Sequence, residues 1–193
     1  MIKNSLYKFS IFATLFLIII IDEMSYGIIA PVLSSFVMDN QSIHLLSYHF
    51  NIAGRDLLYA SLLGTVSLFL FISAPILGDI SDAFGRKKTL LFMIAFSAVS
   101  YFVCALGVLL KNIPLLFVGH AAVGFTAGTA SISQAAITDV SHHEEKVYNL
   151  SIITLALCFG FIAGPLIGGF FTTYPLSHSI GYASAYLIVT FLA

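Results

Sequence analysis

Two adjacent carboxylates, Asp22 and Glu23, lie inside a long apolar run, about 14 residues beyond Lys8. An ionisable side chain embedded in such a run is costly, and it marks a solute pathway or a proton relay. Neighbouring helical residues point about 100° apart, so one of the two is expected to face a cavity. His120, in a later apolar run, is a second titratable candidate, because an unperturbed imidazole titrates near pH 6.5. A neutral, hydrogen-bonded histidine at a helix contact is the competing reading. Ser131 and Gln134 in the same run are candidate solute contacts, with polar bonding between helices as the alternative role. His142 and His143 read as solvated loop residues, and Cys104 and Cys158 as small hydrophobes. No metal-ligand cluster, phosphate loop or nucleophile–base pair stands out, which argues against an enzyme and against a bound cofactor.

Two further segments have informative spacing. The first runs Gly78-Asp79-Ile80-Ser81-Asp82-Ala83-Phe84-Gly85-Arg86-Lys87-Lys88. Gly78 is read as permitting close helix approach, and Gly85 as permitting a left-handed turn. Asp82 beside Arg86 can form a charge-assisted clamp between helix ends. The second runs Gly160-Phe161-Ile162-Ala163-Gly164-Pro165-Leu166-Ile167-Gly168-Gly169. Gly160, Gly164 and Gly168 recur every four residues, which lines one helix face with backbone. Pro165 removes a backbone donor and invites a bend.

The elements that carry these residues follow from composition. Of 193 residues, 59% are hydrophobic and 9% charged, against about 25% charged in an average soluble domain. Mean hydropathy is +1.01. Too few charges are present to coat a water-exposed surface, and a formal charge of −1 gives no electrostatic case for nucleic acid. A helix crossing the hydrocarbon needs roughly 20 apolar residues, and five runs qualify: about 9–37, 57–77, 89–110, 114–138 and 149–173. A sixth, 183–193, has 11 residues and would span only about 16 Å, half a membrane. As written, that last helix is expected to be truncated. The whole of 1–193 is one all-α transmembrane unit, with 39–56 as its longest loop. With the N-terminus inside, the cytoplasmic side holds Lys3, Lys8, Arg86, Lys87, Lys88 and Lys146, and the outer side only Arg55 and Lys111. The positive-inside rule therefore predicts a cytoplasmic N-terminus.

On these residues the chain resembles the major facilitator superfamily. Gly78, Asp82, Gly85, Arg86 and Lys87 match its loop 2–3 pattern G-x-x-x-D-x-x-G-R-[KR], with Ala83 where many members carry Arg. The order of Gly160, Gly164, Pro165, Gly168 and Gly169 is similar to the fifth-helix pattern of proton-coupled drug antiporters. Asp22 with Gly27, Pro31, Val32 and Leu33 resembles the first helix of the tetracycline/proton antiporter branch. Gly119 through Gly124 to Asp139 is similar to the fourth-helix pattern, with His120 where the family usually has Arg, and Glu144-Glu145-Lys146 resembles the turn before the fifth helix.

The resemblance implies the N-terminal six-helix half of a twelve-helix carrier built from inverted repeats, paired with a C-terminal half. It selects Asp22 over Glu23 as the proton-coupling residue. It further implies proton-coupled efflux of small drug-like or amphipathic solutes, driven by the proton gradient, from a bacterial inner membrane. A non-transporting orphan half, and a uniporter or symporter of a sugar or metabolite, remain the alternatives.

Overall fold

The structure is a computed structural model that describes residues 2–38, 51–173 and 178–192. These residues form seven helices and no strand. They are α1 Ile2–Met38, α2 Ile52–Phe84, α3 Arg86–Leu109, α4 Ile113–Thr126, α5 Thr129–Val140, α6 Lys146–Thr173 and α7 His178–Leu192. Five spans are long and apolar enough to cross a membrane, with α4 and α5 together making the fourth.

The helices begin and end where local chemistry allows. Asn51 caps α2 by accepting from the Gly54 amide at 2.8 Å, and Asn112 caps α4 by accepting from Leu115 at 3.0 Å. Such caps satisfy amides that have no partner within the helix. Because α2 starts at Ile52, Arg55 and Asp56 belong to the helix rather than to a loop. The rest of the expected outer loop, 39–50, with His44 and His49, lies outside the described residues. The last helix is also longer than apolarity alone suggested. It has 15 residues from His178, about 22 Å at 1.5 Å per residue.

Two corrections concern where helices begin and break. The segment 78–88 is not a loop. Helix α2 continues to Phe84 and α3 starts at Arg86, with Gly85 alone between them. Gly85 has φ +94°, a conformation that disfavours a side chain. Conversely, the fourth span is not one continuous helix: it breaks at Ala127–Gly128. There the Ala127 amide is shared between the carbonyls of Val123 (3.1 Å) and Gly124 (3.3 Å). Helix α6 remains helical through Pro165.

Close contacts set the packing directions. A methyl on Gly160 would meet Ile20 O at 2.7 Å, one on Gly164 Met24 O at 2.6 Å, and one on Gly168 Ile28 O at 2.5 Å. Both sets of numbers rise together in steps of four, so α1 and α6 run parallel along a backbone-to-backbone seam. Gly119 packs on Cys104 and Gly107 on Leu116, so α3 and α4 are antiparallel. Without a hydrophobic drive between helices in lipid, van der Waals contact of this kind holds a membrane bundle together. The outer faces carry Phe71, Phe159, Leu166 and Phe191, as a lipid-facing surface requires.

Candidate functional site

Asp22 lies near the middle of α1, and Ala127–Gly128 near the middle of the span 113–140. The break places the first residue of α5, Thr129, beside Asp22, and the Thr129 hydroxyl donates to Asp22 Oδ2. A cavity of about 160 Å³ opens here, lined by Asp22, Glu23, Tyr26, Ser67, Tyr101 and Thr126 among others. Tyr26 follows Asp22 by four residues and Glu23 by three, so all three share one side of α1. Both carboxylates line this cavity, whereas the 100° separation predicted that only one would. The cleft is wide enough to take in both directions. Glu23 also packs its Cβ against Gly160 of α6, leaving Asp22 as the acid bonded to the fourth span.

His120 lies apart from this group. Its Nδ1 is 2.9 Å from Leu116 O. A carbonyl only accepts, so Nδ1 bears the proton by assignment and Nε2 is the acceptor. The Tyr186 hydroxyl stands 3.5 Å from that Nε2, and Cys104 Sγ 3.6 Å from Nδ1. His120 is 2% exposed and lines neither cavity that Asp22 borders. Asp22 and His120, the two titratable candidates on different spans, therefore make no contact here. Its surroundings are the α3–α4–α7 packing, where it meets the Tyr186 ring edge-on at 6.1 Å between centroids.

The candidate solute contacts do not reach Asp22 either. Ser131 Oγ donates to Gly128 O at 2.7 Å, and Gln134 is half-buried one turn further along α5. Neither lines the cavities around Asp22. Sequence reasoning passed over Thr129, Tyr101, Tyr26 and Ser67. The available signal was that each is a polar residue inside an apolar span, at heights matching Asp22.

At the α2–α3 junction the expected clamp is formed. Arg86 is 2.6 Å from Asp82 and 3.1 Å from Asp139, and its Nη1 donates to Ser81 Oγ at 2.9 Å. Asp82 ends α2, Arg86 begins α3 and Asp139 lies in the last turn of α5. Each of these charges has the unfavourable sign for its own helix dipole. Only together do they compensate one another. Lys87 is exposed beside them. Gly78 departs from expectation: nothing among the described residues lies within 4 Å of a methyl placed on it, so it makes no close helix contact here. Gly169 is likewise open, while Gly160, Gly164 and Gly168 form the α1 seam.

The model of the Major Facilitator Superfamily matches residues 15–193. The chain belongs to that superfamily. It is 30% identical over 190 residues to the class B tetracycline resistance protein of Escherichia coli, covering 98% of this chain and 43% of that relative. Against the class C protein of Escherichia coli it is 28% identical over 149 residues, 77% of this chain and 35% of the relative. The crystal structure of the human organic anion transporter MFSD10 superposes with a TM-score of 0.69 at 20% identity, covering 95% of this chain and 47% of that one. This last likeness shows the fold alone. The chain thus spans less than half the length of these relatives, and it corresponds to the N-terminal half of the superfamily fold. Members of this family are membrane transport proteins rather than enzymes.

Proposed function

We propose that this chain is the N-terminal half of a proton-coupled exporter of small drug-like or amphipathic solutes. It works by alternating access against a C-terminal half, and its N-terminus faces the cytoplasm of a bacterial cell. The observation that carries the reading is Asp22: an acid at mid-span, in a cavity wall, bonded across to a broken helix. Irregular backbone at membrane depth is tolerated where it lines a cavity, and coupling-ion sites form there. The similarity to tetracycline resistance proteins supports efflux. The described lining holds two carboxylates and two tyrosines and no lysine or arginine, which favours a cationic or neutral solute over an anion.

Asp22 exchanges the proton and Glu23 shares the solute cavity. Arg86, with Asp82 and Asp139, holds one conformation at the cytoplasmic face, and the α1–α6 seam keeps two helices moving as one body. In a full-length protein joined to its C-terminal half, Asp22→Asn abolishes proton-driven efflux and leaves solute binding largely intact. Efflux at the normal rate in that variant would move the exchange site to Glu23 or outside this half.

A further inference from the structure

The hydroxyls of helical threonines usually bond back to their own helix, as three threonines of other helices and of α5 itself do. Thr65 donates to Ser61 O, Thr138 to Gln134 O and Thr190 to Tyr186 O. Thr129 differs because of the break in the fourth span. As the first residue of α5 it has no preceding turn of its own helix to bond, and its hydroxyl crosses to Asp22. The residue is 2% exposed, so water does not readily replace that bond.

The bond also has a particular location. Asp22 borders the 160 Å³ cavity with Glu23 and Tyr26. It also borders a second cavity of about 130 Å³, lined by Ile18, Ile21, Ile94, Ser97, Thr129 and Leu192. Thr129 lines only the second. The carboxylate therefore sits in the partition between two cavities, and Thr129 holds it from the far side.

We infer that Thr129 is a positioning residue for Asp22: its hydroxyl, freed by the helix break, fixes the carboxylate in the partition and stabilises its ionised form. The inference rests on the reading of Asp22 as the exchange site. Hydrogen bonds to charged groups are the stronger ones, and a carboxylate loses one when its donor is removed. Protonation of Asp22 weakens the tie between α1 and α5, so proton occupancy and the contact between these helices are linked. The other titratable groups facing Asp22 in the cavity lining are Glu23 and Tyr26 on α1 and Tyr101 on α3. The lining residues of α2, α4, α5 and α7 add none, and α6 meets α1 through glycines.

The test uses the chain reconstituted in liposomes and needs no solute. Dicyclohexylcarbodiimide modifies protonated, membrane-embedded carboxyls, and tandem mass spectrometry locates the adduct. With Glu23→Gln as background, Asp22 labelling falls as pH rises through a midpoint. Thr129→Val, which keeps the volume and removes the hydroxyl, moves that midpoint upward by about one unit, a tenfold change in proton affinity. Thr129→Ser restores it, and circular dichroism with size-exclusion chromatography confirms that each variant is folded. An unchanged midpoint in folded Thr129→Val overturns the positioning role while leaving Asp22 as the exchange site. No label on Asp22 at any pH removes the exchange site, and the inference with it.

Discussion

Gly27 and Gly164 meet backbone to backbone: a methyl on Gly164 would lie 2.7 Å from Gly27 Cα, and one on Gly27 would lie 3.0 Å from Gly164 Cα. Neither position has room for a β-carbon, and the obstruction is main chain that cannot swing aside. Gly164→Ala therefore forces α1 and α6 apart, with a cost of about 1–3 kcal/mol for overpacking a tight contact. Gly169→Ala, five residues further on and open, carries no such cost and is neutral to stabilising. Unfolding in detergent, followed by circular dichroism, checks the pair. Equal stability of the two variants would show that the seam does not hold the bundle.

The same seam shows what the sequence made legible. Small residues every four positions in 160–168 announced a close helix contact, because periodicity reports which face a residue occupies. Periodicity does not report the partner, so α1 as the other wall had to come from the fold. The Asp82–Arg86 pairing was readable because an acid and a cation flank a single glycine turn, and the structure keeps it across Gly85, between the end of α2 and the start of α3. Gly78 permits close approach, but a glycine alone does not say what approaches, and no described helix does so. The break at Ala127–Gly128 was hidden inside a run whose hydropathy is continuous. Thr129, whose role depends on that break, was hidden with it.

Arg86 bonds two acids that belong to different helices, yet its contacts are part-exposed, with side-chain exposures of 65% for Asp82 and 58% for Asp139. Ion pairs this wet contribute about 0–1 kcal/mol each. Asp139→Asn should thus barely change the chain's unfolding. It should loosen the tie between the end of α5 and the α2–α3 junction, because Arg86 then has a charged partner only on α2. Spin labels at Phe84 and His143, both exposed, would report a broader distance distribution in Asp139→Asn. Arg86→Lys should fall between wild type and Asp139→Asn, since one ammonium cannot reproduce the guanidinium fork. An unaltered distribution in both variants would remove the clamp from the conformational mechanism.

Orientation is testable at exposed positions on opposite sides of the bundle, next to the two ends of α3. Six of the eight Lys and Arg residues fall on the side of the Gly85 junction, and the positive-inside rule assigns that side to the cytoplasm. Ala83 is exposed there, and Leu110 is exposed at the opposite end. A membrane-impermeant maleimide should label Leu110→Cys in intact cells, and Ala83→Cys only after permeabilisation. Cys104 is buried and Cys158 lies within the span 146–170, so both contribute little background. The reverse pattern would invert the topology.

His120 is where family resemblance and geometry part company. An arginine there would carry a permanent charge, whereas the histidine present is a group that can titrate. The structure surrounds the imidazole with Leu116 O, Tyr186 and Cys104, and no carboxylate is among these partners. A charged guanidinium in the same space would be buried without a counter-ion, which costs several kcal/mol. His120→Arg should therefore lower folded yield sharply. His120→Gln, which can still donate to a carbonyl and accept from a hydroxyl, should fold nearly as well as the parent chain. In that variant the pH midpoint for carbodiimide labelling of Asp22 should stay where it is, because the imidazole touches neither cavity around Asp22. A well-folded His120→Arg with a shifted Asp22 midpoint would mean that charge at residue 120 reaches Asp22 after all, and that the contact forms in another conformation of the transport cycle.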